Sequence, residues 1–219
     1  MSRTGIEDRL AGAFWARPAA GDNVLPPAKR SMSRGREVVL CLGGALLLAL
    51  SSKVSVPLLP VPMTLQPLAV LCIGAAYGAR LSVITVLAYL ISGLSGLPVF
   101  ANTPPLAAGP LYLLGPTGGF LLSYIPAAAF MGLIAEAKLD RRFATMLPCA
   151  LFASAIILAC GFFWLAFVAD LGANGHGIGV MAAWSKGVAP FLLGDVVKAA
   201  LAAAILPATW SLVAARQRP

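Results

Sequence analysis

Phe143–Ala169 reads FATMLPCALFASAIILACGFFWLAFVA, with Arg141 and Arg142 before it, Asp170 after it and no Asp, Glu, Lys or Arg inside. The hydrocarbon layer of a bilayer is about 30 Å thick and takes about 20 apolar residues from a helix that crosses it, so this run is long enough to span. Cutting the rest of the chain at its prolines, glycines and charges returns the same kind of segment on both sides. Before it lie about Val38–Val56, Leu65–Tyr77, Leu81–Leu97 and Gly118–Ala137; after it lies Trp184–Val213. The expectation is an all-α, polytopic membrane protein of six transmembrane helices, with residues 38–215 forming one membrane domain. The second and third helices are short for a full crossing.

Composition points the same way. Of the 219 residues, 59% are hydrophobic and 11% are charged, against about 25% charged in a soluble domain. Between the apolar runs the punctuation is local. Pro57, Pro60 and Pro62 lack amide donors and end the first helix in a re-entrant or surface loop. Thr64 is placed to cap the second helix, Pro67 sits in its first turn, and Arg80 closes it.

The net charge is +8, yet seven of the sixteen Lys and Arg residues precede the first apolar run: Arg3, Arg9, Arg17, Lys29, Arg30, Arg34 and Arg36. Residues 1–37 therefore read as a basic, disordered cytoplasmic tail, drawn to anionic lipid headgroups at about 1 kcal/mol per basic residue near the surface. A nucleic-acid partner is not expected. With the tail inside, alternation places Arg80, Lys138, Arg141, Arg142, Arg216 and Arg218 on the cytoplasmic side and leaves only Lys53 and Lys186 near external ends. Short cytoplasmic loops collect Lys and Arg in this way. Both termini are expected in the cytoplasm, and the connections Pro98–Pro116 and Leu171–Ala183 outside.

Against this apolar background the informative pair is Asp195 and Lys198, within FLLGDVVKAAL at Phe191–Leu201. Three residues apart on a helix, they share a face. A charge at the centre of a membrane helix costs about 2.5 to 3.5 kcal/mol, so it marks a functional site by default, although a structural ion pair remains the alternative. Side by side, a carboxylate accepts N–H groups and an ammonium donates to a carbonyl or carboxylate.

A second constellation is LGPTGGF at Leu114–Phe120, which ends the long outward loop and opens a helix. Thr117 can cap that helix, Gly118 and Gly119 let backbone approach a ligand, and the helix N-terminus favours anionic groups. The plain alternative is a tight turn and a cap. Phe100 and Asn102 in the same outer region offer an aromatic face and an amide. Gln66 and Tyr89 suit either a lining role or bonds between helices, and Ala45 and Ala49 form a small-residue docking stripe.

Little supports catalysis, and no enzyme is expected. His176 is the single histidine, and Cys41, Cys72, Cys149 and Cys160 lack the spacing of a zinc or redox motif. A phosphate-cradling loop with its lysine is absent, so any ATPase would be another polypeptide. No metal and no cofactor is expected.

In order along the chain, VPMTLQ at Val61–Gln66, GLPVF at Gly96–Phe100, GPTGGF at Gly115–Phe120 and GDVVK at Gly194–Lys198 resemble the BioY family. These are biotin-specific substrate-binding components of energy-coupling factor transporters, multi-pass proteins of the bacterial cytoplasmic membrane. The resemblance covers roughly Val38–Val213 and implies one biotin site opening outward, with a transmembrane coupling protein and two cytoplasmic ATPases as partners. It also implies that Ala45 and Ala49 meet the coupling protein. Asp195 and Lys198 look like the family's polar binding pair, joined by Asn102, Phe100, Thr117, Gly118, Gly119 and Phe120. Phe120 stands where the family pattern suggests Tyr, which removes a hydroxyl. The rival reading within transport is a stand-alone ion-coupled vitamin carrier with Asp195 as a proton relay.

Overall fold

The prolines after Lys53 act as their missing amides dictate. In the computed structural model, which describes residues 33–103, 108–170 and 175–216, helix α1 (Arg34–Lys53) stops short of the expected Val56. Strand β1 (Ser55–Val56) then turns back through residues 57–62 to pair antiparallel with β2 (Met63–Thr64). This small hairpin is an addition to the all-α expectation. At its other end α1 begins at Arg34 rather than Val38, with Glu37 in the first turn, where a helix N-terminus favours a carboxylate. Residues 1–32 of the expected tail lie outside the described residues.

The next helix, α2 (Gln66–Leu94), is nominally continuous but breaks at Gly78, whose φ of 77° and ψ of 170° are open to glycine alone at low cost. The break is a reversal. Gln66 Nε2 lies 2.7 Å from the Tyr89 hydroxyl, whereas a straight helix would separate residues so spaced by roughly 34 Å. Residues 66–77 and 79–94 are thus two antiparallel arms, corresponding to the expected second and third helices. Thr64 does serve the first arm, since its hydroxyl oxygen accepts the Gln66 amide at 3.3 Å, although the cap position itself is Leu65.

Helix α3 (Pro110–Leu114) interrupts the long loop, and α4 (Gly118–Glu136) follows as the central post. Of the spanning windows α4 is the most buried, at 56%, and α1 the least, at 22%. Both arms of α2 pack along α4. Ser82 of the second arm donates to the Ala128 carbonyl at 3.2 Å, and the Ala79 amide to the Glu136 carboxylate at 3.1 Å. Gly132 permits the closest approach, because any side chain there would run into the backbone of Ala79. Small residues at such contacts are how helices associate in lipid, where no hydrophobic force separates protein from solvent.

A 3₁₀ turn (Leu139–Arg141) leads to α5 (Phe143–Phe163), which continues through a π turn (Trp164–Val168). The last rod is α6 (Val180–Ala183), a second π turn (Trp184–Val188) and α7 (Ala189–Arg216), longer at both ends than Trp184–Val213. Among the described residues five helices are long and apolar enough to cross a membrane; with α2 folded back at Gly78, they supply six helical segments. The outward faces carry bare apolar side chains, as at Leu42 and Leu193.

Candidate ligand site

The face of α7 that turns inward carries Phe191, Asp195 and Lys198 at helical spacing, while Leu192, Leu193, Val196, Val197 and Leu201 face out. Both charged residues are buried, with 4% and 7% exposure, and Lys198 Nζ donates to Asp195 Oδ1 at 2.9 Å. They do not face lipid. Together with Phe191 they line a cavity of about 490 Å³, open space at its mouth included.

Helix α4 supplies the opposite wall. Thr117, Phe120, Leu121 and Tyr124 line the cavity, with Phe120 stacked against Phe191 at 6.1 Å between ring centroids. From α5 come Ile157 and Leu158; from the β-hairpin side, Val61, Pro62, Thr64, Gln66 and Pro67. Ala101 and Tyr112 close the remaining side. Burial raises the Tyr112 phenol above its ordinary pKa, so it stays protonated, and it donates to the Ala101 carbonyl at 2.5 Å.

Gln66 ties the walls together. Its Nε2 donates to Tyr89, and at 3.4 Å to the Leu48 carbonyl; its Oε1 accepts from Tyr124 at 3.5 Å and Thr64 at 3.4 Å. The long contacts to Oε1 leave the Tyr124 and Thr64 hydroxyls loosely held beside the ion pair. Chemically the site offers an anion, a cation and hydroxyls between aromatic planes, which suits a mainly apolar ligand with one polar edge. Among the described residues no group of three or more His, Cys, Asp or Glu side chains is gathered to hold a metal.

Residues 27–215 match the BioY family. The chain belongs to the BioY family. It is 34% identical to the "Probable biotin transporter BioY" of Pyrococcus horikoshii, over 78% of this chain and 94% of the relative. To the "Biotin transporter BioY" of Thermotoga maritima it is 36% identical, over 73% of this chain and 86% of the relative. Its fold matches a crystal structure of "the S-component for biotin from an ECF-type ABC transporter", with TM-score 0.68, 22% identity and coverage of 83% and 95% of the two chains. Like its relatives, which are named as transporters and not enzymes, this BioY chain is a multi-pass protein of the cell membrane.

Within it, Asp195, Lys198, Thr117 and Phe120 meet at one cavity. Asn102 lies next door, in an outer pocket that shares Pro62, Tyr112 and Thr117 with the first. Phe100 is fully buried behind the wall, edge-on to Tyr89 and stacked on Tyr112 at 4.8 Å. Gly118 and Gly119 line neither of these two; a side chain at Gly118 would run into the Leu113 carbonyl and one at Gly119 into Trp164. Ala45 and Ala49 are half-buried against the protein's own core.

Tyr112, Tyr124 and Phe191 were not anticipated. Helical spacing carried a signal for two of them: Tyr124 is four residues beyond Phe120, and Phe191 four before Asp195. Nothing comparable marked Tyr112.

Proposed function

We propose that this BioY chain captures biotin on the outer face of the membrane as the substrate-binding component of an energy-coupling factor transporter. The observation that carries the reading is the buried Asp195–Lys198 pair facing an aromatic-walled cavity. The names of the relatives are in keeping with it. Biotin is a fused, largely apolar bicycle with two ureido N–H groups, one ureido carbonyl and an acid tail. Asp195 accepts from the ureido N–H edge, Lys198 donates to the ureido carbonyl or the tail carboxylate, and the stacked Phe120–Phe191 pair forms an aromatic wall for the bicycle. Asn102 and Thr117 meet the more exposed end of the ligand.

A transmembrane coupling protein and two cytoplasmic ATPases supply the energy, and α1, the least buried span, meets the coupling protein through its exposed face, with Ala45 and Ala49 at the edge that packs on the protein's own core. Both termini face the cytoplasm. The deciding experiment is a titration of the detergent-purified chain with biotin, desthiobiotin, riboflavin and thiamin, without ATP and across pH. Tight, biotin-selective binding that is flat near neutrality is expected. Steep dependence on pH would favour the ion-coupled carrier, and absence of biotin binding sinks the proposal.

A further inference from the structure

At the loop-rich end of the molecule, main-chain carbonyls of the 99–103 segment are held by side chains from three different helices. Ser52 Oγ donates to the Val99 carbonyl at 2.9 Å, and the Tyr89 hydroxyl to the same oxygen at 3.2 Å. Tyr112 takes the Ala101 carbonyl. Lys53 Nζ donates to the Phe100 carbonyl at 2.7 Å, the Thr103 carbonyl at 2.6 Å and the Thr103 hydroxyl at 3.4 Å. All three donor sites of that ammonium are thereby used.

Resting on the biotin reading above, we propose that Lys53 is a positioning residue for ligand retention, fastening the 99–103 segment to the end of α1. Three features of the segment make its position matter. Ala101 forms part of the cavity wall. Asn102, in the adjoining outer pocket, has φ of 56°, a left-handed conformation in which its side chain is aimed by the path of the segment. Phe100 fills the space left by Gly93 and backs the Tyr112 ring that faces the cavity.

Lys53 also stands out by place. Among the described residues the other Lys or Arg side chains of this half are Lys186 and Lys198, and Lys198 is already paired with Asp195. Neutral hydroxyls anchor the Val99 and Ala101 carbonyls; the charged donor binds the two carbonyls that flank Ala101 and Asn102. Charge-assisted hydrogen bonds are intrinsically about twice as strong as neutral ones, and although Lys53 is exposed its ammonium ties two carbonyls at once.

The test uses the full chain in detergent and compares wild type, Lys53→Met and Lys53→Arg by biotin association and dissociation rates, thermal unfolding and hydrogen exchange. In Lys53→Met the biotin off-rate is expected to rise about tenfold with the on-rate little changed. Exchange in the ligand-free protein should quicken in 97–103 and not in the helices, and Lys53→Arg should restore part of the retention. An unchanged off-rate with unchanged exchange overturns the proposal. So does a loss of protection spread over the whole protein, which would make Lys53 a general stabiliser. Failure of wild type to bind biotin strikes the functional reading instead, and the ligand-free exchange then decides the clamp by itself.

Discussion

Replacing Asp195 by Asn leaves the Lys198 ammonium buried without the carboxylate 2.9 Å away. Breaking a buried pair from one side costs about 3 to 5 kcal/mol, whereas removing both charges together is often neutral. Asp195→Asn and Lys198→Met should each lower the unfolding temperature. The double variant should recover most of that loss yet bind no biotin. Thermal unfolding in detergent with a parallel titration separates ligand from scaffold: a double variant that still binds biotin would reduce the pair to a packing device. Tyr124→Phe removes one long, loosely held hydrogen bond from the cavity wall and should weaken biotin by about 0.5 to 1.5 kcal/mol, with only a small loss of stability because Gln66 keeps its shorter bond to Tyr89. Unchanged affinity would mean that the hydroxyl makes no ligand contact. Asp195 and Lys198 were legible in the sequence because a charge inside an apolar run is rare and expensive. Phe191 was marked only by its place four residues before Asp195, and Tyr112 was not marked at all, because an aromatic residue in an outer loop carries no periodic signal. Gly118 and Gly119 were harder still, since the same absent side chain admits a ligand or a neighbouring Trp164, and sequence does not say which.

Gly78 decides how α2 is used. With φ of 77° and ψ of 170°, Gly78→Ala should cost about 1 to 3 kcal/mol. Its effect should spread to the ligand site, since both arms meet at Gln66 and Tyr89, 2.7 Å apart. Lowered thermal stability with weakened biotin binding is the expected result; a neutral Gly78→Ala would mean that the reversal has another cause. At the opposite end of the bundle, the π turn of α5 aims Trp164 Nε1 at the Gly115 carbonyl, 2.9 Å away, just ahead of Thr117 and Phe120. Trp164→Phe removes that donor and should cost about 1 kcal/mol, read as loss of stability and a few-fold loss of biotin affinity. The arms of α2 were readable as segments from Arg80 and Gly78, but their antiparallel packing rests on side chains far apart in sequence. The β-hairpin and the π turns were not readable, because Pro57–Pro62 forbids helix without choosing a replacement, and π geometry leaves no mark on an apolar pattern.

The two ends of the whole molecule differ sharply in charge. Arg80 follows the α2 reversal, which packs beside Glu136; Lys138, Arg141 and Arg142 follow α4; Arg216 closes α7. Arg34 and Arg36 open α1, whose far end, Lys53, is fastened to the 99–103 segment. These basic groups therefore gather at the end away from the ligand cavity. Loops rich in Lys and Arg tend to be retained in the cytoplasm, which supports the proposed outward-facing ligand end. Two exposed positions test this, Leu111 beside the outer pocket and Leu139 in the turn after α4. In variants whose native cysteines are replaced by Ala, Leu111→Cys should react with a membrane-impermeant maleimide in intact cells, and Leu139→Cys only after the membrane is opened. The reverse pattern would put the cavity on the cytoplasmic side, where capture of an external vitamin is impossible, and would remove the functional proposal together with the orientation. The physical logic admits no third arrangement, because six segments fixed in one bundle turn over together or not at all.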